Sequence, residues 1–209
     1  MTIARLATRP QTLRQPELTR TRLLECAYAE IHQRGFRAAS LDSILVKAGV
    51  TKGALYHHFA NKQALGYAVV DELLQPFMQT YWLPLAEAED PIACAISGIK
   101  KRRDKLKAQL LAYGCPFNNL AQEMSPIDEG FRVRLQGILD EWRHNLAAAL
   151  ERGKARGQVR HDVNTAAAAI FTISALEGLI GMGKASQSSA LYEQGLRGLV
   201  EYLERLRPD

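Results

Sequence analysis

The chain has 209 residues, 47% hydrophobic and 23% charged, which excludes a disordered chain and allows one or two domains with a real core. Its net charge of +5 is uneven: residues 1–62 carry ten Lys or Arg against four Asp or Glu, and residues 63–209 carry seventeen against eighteen. A basic end on a near-neutral body is the footprint of a nucleic-acid binder; with no apolar run of about 18 residues and no apolar stretch behind the N-terminal arginines, a membrane span and a secretory signal are excluded and a cytoplasmic location is expected.

Alanine and leucine abound and β-branched runs are few, so the chain reads as all-α. Residues 1–17 hold Arg5, Arg9, Arg14, Pro10 and Pro16 without periodicity, a basic arm that either touches DNA or is an unstructured start. A first helix is predicted from about Thr19 to Arg34, with Leu23, Leu24, Ala27, Tyr28 and Ile31 inward. The second begins after Ser40, a capping residue, and repeats Leu41, Ile44, Leu45 and Ala48 along one face. Gly49 follows at the position where helices end in a left-handed residue. Thr51 can cap a third helix from Lys52 to about His58.

Two short helices about a tight turn make a helix-turn-helix, whose second helix is the kind that enters a DNA major groove. With Leu55 inward, Gly53 and His57 fall on the far side, with Ala54 and Tyr56 beside them. Gly53 permits close approach to base edges, and Lys52 offers donors to guanine. Tyr56, His57 and His58 are long enough to reach phosphates. Asn61 caps a further helix, and Lys62 in its first turn makes a phosphate clamp. Ser40, Thr51, Lys52, Gly53, Tyr56, His57, His58 and Lys62 are therefore the expected DNA-binding set.

The run Val50 to Phe59, V-T-K-G-A-L-Y-H-H-F, resembles the N-terminal DNA-binding domain of the TetR/AcrR family of bacterial repressors, over about Thr19 to Leu65. The resemblance implies a double-stranded DNA operator as partner, a homodimer, and release by a small-molecule effector. It implies residues 1–62 as the DNA-binding domain and 63–209 as the effector-binding and dimerisation domain, with about nine helices in all.

Beyond Asn61 a longer helix is predicted to about Tyr81, kinked or broken at Pro76. Asp90 and Pro91 start the next, which runs to about Tyr113. It contains Lys100, Lys101, Arg102, Arg103, Lys105 and Lys107, read as a solvated face in preference to a second nucleic-acid patch. Gly114 to Pro126 interrupts the pattern, and a long amphipathic helix follows from Asp128 to about Arg156, with Phe131, Leu135, Ile138, Leu139, Trp142, Leu146 and Leu150 inward.

Asn164 caps a helix to about Lys184 that is apolar on most sides, and Leu191 to Leu206 form the last. An all-round apolar helix must be covered all round, either by the core of a monomer or by a second copy in a four-helix arrangement. The second reading assigns Phe171, Ala175, Leu179, Leu196, Leu199 and Leu203 to a dimer interface.

No paired carboxylates, Ser-His-Asp set, phosphate loop or H-E-x-x-H is present, and the three cysteines form neither a disulfide framework nor a zinc pattern. No catalytic residue, metal or cofactor is expected. The broken stretch and its aromatic neighbours suggest an effector pocket walled by Tyr113, Cys115, Phe117, Asn118, Met124, Phe131, Trp142, Phe171 and Glu177. Glu177 inside an apolar helix points to solvent, pairs across a dimer or meets a ligand. Cys115 at a helix start is either a structural thiol or a redox or electrophile sensor. Its surroundings resemble a G-C-x-x-x-N-L-A-x-E stretch found in some TetR-family C-terminal domains.

Overall fold

A computed structural model describes residues 15–208, and their ordered segments are all helical. Nine helices of seven residues or more lie among them, which agrees with the predicted all-α class. Arg5, Arg9 and Arg14 of the basic arm lie outside the described residues. Two compact units form, one from residues up to Phe77 with Asn119–Leu135, the other from Met78–Asn118 with Gln136 onward.

The first unit opens with α1 (Gln15–Arg34), α2 (Leu41–Ala48) and α3 (Lys52–His58). The helix α1 starts earlier than its apolar spacing indicates, because Pro16 sits in the first turn, where a missing N–H costs nothing. Leu23, Leu24 and Ala27 of α1 close on Ile44 and Ala48 of α2, Leu55 of α3, and Phe59. The helix α4 begins as Lys62–Val69, passes through a π-helical stretch at Val70–Leu74 and ends as Gln75–Gln79. Pro76 thus neither stops nor sharply breaks it: the wider turn, with Gln75 N–H donating to Val70 O, absorbs the proline.

Residues 119–135 belong to this same unit. They comprise most of α6 (Pro116–Met124) and the start of α7 (Glu129–Ala155). Glu123 accepts from the backbone N–H groups of Phe36 and Arg37 at 2.7 and 2.8 Å, which ties α6 to the corner between α1 and α2. Asp128 accepts from Tyr67 Oη and Gln63 Nε2, both at 2.7 Å. Phe131 is fully buried between the rings of Phe36 and Tyr67, at 4.7 and 4.9 Å. The close approach needs Gly66: a Cβ there would lie 2.4 Å from Phe36 Cε2 and 2.7 Å from Phe131 Cζ, both ring atoms in a packed core. Gly66→Ala is expected to cost about 1–3 kcal/mol by overpacking. Chemical denaturation checks it; an unchanged midpoint would contradict this packing.

In the second unit α5 (Pro91–Tyr113) is capped by Asp90, whose Oδ1 accepts from Ile92 N and Ala93 N at 3.0 Å. The helices α8 (Thr165–Ser186) and α9 (Ser189–Glu204) pack on each other and on α5. Trp142, Leu146 and Leu150 of α7 are buried as expected, whereas Leu139 is exposed. By length and composition α8 could cross a membrane, with a mean hydropathy of 1.6 over 18 residues, which corrects the statement that no segment reaches that threshold. Its Ala168, Ala169, Thr172, Ile173, Leu176 and Ile180 are buried in this unit, while Ile170, Phe171 and Met182 stand 48%, 52% and 56% exposed.

Candidate nucleic-acid interface

Local hydrogen bonds account for the helix-turn-helix. Ser40 Oγ accepts from Ser43 N at 3.2 Å and starts α2. Gly49 ends it at φ +66°, the left-handed conformation that a side chain resists, and Val50 N closes the turn on Leu45 O. Thr51 Oγ1 accepts from Ala54 N at 3.2 Å and starts α3. With Leu55 fully buried, Lys52, Gly53, Tyr56 and His57 are exposed on α3. This is a short cationic and aromatic edge with a gap at Gly53, free to meet a nucleic acid.

The other expected DNA contacts are placed differently. Ser40 and Thr51 spend their hydroxyls on capping. His58 is half-buried, and desolvation pushes its imidazole toward the neutral form, with the neighbouring His57 and Arg20 adding to that. Lys62 is half-buried too: its Nζ donates to Arg37 O at 3.0 Å and lies 5.1 Å from the Phe36 ring, so it holds the α1–α2 corner. Arg20 pairs with Glu72 and covers the Phe59 ring.

Glu30 of α1 is fully buried and holds four groups: Lys47 Nζ at 2.7 Å, Ser43 Oγ at 3.0 Å, Arg34 Nε at 3.2 Å and Ser40 N at 3.5 Å. The bound Lys47 ammonium, more than any other contact, holds the Glu30 carboxyl below the usual carboxylate range. A depressed folded pKa stabilises above the unfolded value, about 4.3, and that stability is lost as pH falls through the folded value. Glu30→Gln is therefore expected to lower stability by about 1–3 kcal/mol at neutral pH, with the gap to the wild type narrowing below about pH 4. Melting curves at both pH values check it, and a gap that widens in acid would refute the assignment.

The residues expected to wall an effector pocket do not form one wall. Met124 and Phe131 are core of the first unit. Tyr113 is exposed, and Phe171 is exposed against the Tyr202 ring, 4.5 Å away. Asn118 is half-buried in the second unit. Cys115, Phe117, Trp142 and Glu177 are buried in that unit. Cys115 and Glu177 join groups that the sequence reading passed over: Arg102, Tyr81 and Tyr192.

Arg102 is not part of a solvated face, since it is 3% exposed. Its Nη2 donates to Cys115 Sγ at 3.4 Å, and its guanidinium lies 4.1 Å from the Tyr81 ring centre. The signal for this was present: Ile92, Ile96, Ile99, Leu106 and Leu110 make an apolar stripe along α5 that passes through position 102 or 103. Burial pushes the Cys115 thiol up to about 12, which outweighs any help from the start of α6 and keeps it a thiol.

Leu196, Leu199 and Leu203 are buried within this chain and have no surface left for a partner, whereas Phe171 is exposed and Ala175 and Leu179 are partly so. An amphipathic stripe alone does not distinguish a chain's own core from a second copy.

Two family models match this arrangement. One, described as bacterial regulatory proteins, tetR family, covers residues 23–69, and the other, tetracyclin repressor-like, C-terminal domain, covers residues 99–199. The HTH-type transcriptional repressor DhaR of Mycobacterium sp. (strain GP1) is 26% identical over 184 residues, 88% of this chain and 91% of that one. The transcriptional regulator AcuR of Cereibacter sphaeroides is 27% identical over 162 residues, 74% of this chain and 71% of that one. A crystal structure of a TetR transcriptional regulator from Chloroflexus aurantiacus superposes with a TM-score of 0.81 at 25% identity, covering 91% of this chain and 96% of the other.

Proposed function

We propose that this chain, which belongs to the TetR family of bacterial regulatory proteins and is a DNA-binding transcriptional regulator, works in the cytoplasm as a homodimeric repressor. It sits on a pseudo-palindromic operator and leaves it when a small molecule binds the second unit. The observation that carries this reading is the exposed edge Lys52-Gly53-Tyr56-His57 on a helix whose opposite side is locked by Leu55. A monomer offers one such helix, and one half-site gives little selectivity in a genome. A second copy, related by a two-fold axis, places another helix about 34–36 Å away, one turn of DNA. The surface that would bring the copies together is the apolar strip Ile170, Phe171, Ala175, Leu179 and Met182 of α8, which polar solvent leaves unsatisfied.

Release needs only a ligand that favours a conformer in which the two recognition helices miss that spacing. A reporter gene placed behind a bound operator tests the sign: transcription should rise when this regulator is deleted, and a fall would make it an activator.

A further inference from the structure

The buried polar groups of the second unit define the chemistry of the effector, an inference that rests on the effector-regulated reading above. Arg102 of α5 and Glu177 of α8 face each other with 3.9 Å between Nη1 and Oε1, their side chains 1% and 9% exposed. That distance is an ion pair without a hydrogen bond. Arg102 Nε and Nη1 have no hydrogen-bond partner, and the carboxylate of Glu177 meets no nitrogen or oxygen donor at hydrogen-bond distance, only the Cys115 thiol. Arg102 Nη2 donates only to a weak acceptor, the Cys115 sulfur. Buried donors and acceptors in native proteins are almost always paired, so two unpaired guanidinium donors beside a carboxylate that only a thiol reaches mark a place meant for another molecule.

We propose that this cluster binds the carboxyl group of a small monocarboxylic acid, its oxygens accepting the free Arg102 N–H groups while one proton is shared between the ligand and Glu177. Charge selects this class. Arg102 stays protonated, and an amine would set a second cation beside a buried guanidinium. A dianion such as phosphate would place an excess negative charge against Glu177. A carboxylate arriving with one proton satisfies both partners and leaves the cluster's net charge unchanged. The rest of the ligand meets aromatic walls: Tyr81 stacks on Trp142 with ring centres 6.0 Å apart, and Tyr192 is 1% exposed. A short alkyl or aryl acid fits those walls better than a long polar one.

The groups facing Glu177 are Arg102 from α5, Cys115 before α6, Tyr81 after α4 and Tyr192 from α9. Arg102 does not titrate, and burial holds the thiol and both phenols protonated. Glu177 is therefore the group that exchanges a proton when the acid binds. Burial raises its pKa against the opposing pull of Arg102.

Calorimetry on the full-length protein without DNA tests this, with sodium butyrate and sodium benzoate as probes against butyramide, benzamide, butylamine and benzylamine. The acids should bind one per chain and at least about tenfold more tightly than the amides or amines, since a charged partner adds to each hydrogen bond. Their apparent affinity should fall as pH rises, by at most about tenfold per pH unit, because one proton is taken up. Arg102→Met should abolish binding. Glu177→Gln should keep it with a flat pH profile, because the amide N–H donates to the carboxylate and cannot titrate; this variant decides the matter if Arg102→Met fails to fold. Absence of saturable acid binding, equal binding of the amides, or a pH profile unchanged in Glu177→Gln would overturn the assignment. Acids that bind as described yet leave DNA affinity unchanged would confirm the site and refute its role in release.

Discussion

Replacing Phe171 by glutamate is expected to convert the protein to monomers that keep their helical fold and lose only the stability that association adds. Phe171 is 52% exposed on α8, so the change removes little of the chain's own core. In a two-fold interface the same residue occurs on both sides, and each copy would bury an uncompensated carboxylate at a cost of several kcal/mol. That is enough to dissociate an interface of ordinary affinity. Operator binding should fall by more than about 100-fold, since only one half-site can then be held at a time. Light scattering and a DNA titration measure the two effects together. Leu199→Glu is the contrasting control: Leu199 is 4% exposed inside the chain, and a charge there should unfold the protein. A Phe171→Glu protein that remains dimeric would remove α8 from the interface.

The second large effect is expected at Tyr56 and Lys52. Both are exposed on α3 and make no contribution to the buried side that Leu55 fills. Each alanine substitution should lower operator affinity by about 1–3 kcal/mol, roughly ten- to a hundredfold, without moving the melting temperature. The two should differ in kind. Lys52→Ala should relax base preference at one position of each half-site, and Tyr56→Ala should weaken all sequences alike. Lys62→Ala differs from both: its ammonium is bound to Arg37 O, so the loss should first appear as lower stability of the α1–α2 corner.

The helix-turn-helix was legible in the sequence because its signals are local. Ser40, Gly49, Thr51 and Asn61 each act on backbone within four residues of themselves, and the structure shows each in its capping place. What was not legible depends on distant partners. Arg102 stands among lysines and arginines, and the apolar stripe of α5 narrows the inward position to 102 or 103 without choosing between them; Glu177 of α8 faces Arg102. Lys62 looks like a free cation until Arg37 and Phe36, 25 and 26 positions earlier, fold over it. Leu196, Leu199 and Leu203 repeat as an interface would, but α9 turns them toward α8 of the same chain. The union of residues 119–135 with the N-terminal helices rests on Glu123 and Asp128, two carboxylates with no distinctive spacing.

The central claim is that paired α3 helices read two inverted half-sites. Selection of duplexes from a random-sequence pool by the full-length protein, repeated with the Lys52→Ala/Tyr56→Ala double variant, tests it most directly. The wild type should enrich an inverted repeat with half-site centres about 10–10.5 base pairs, or a multiple of that, apart. Its binding should weaken steeply with salt, and the double variant should lose the enrichment while keeping its fold. Enrichment of single, unpaired sites, or of the same inverted repeat by the double variant, would contradict the account.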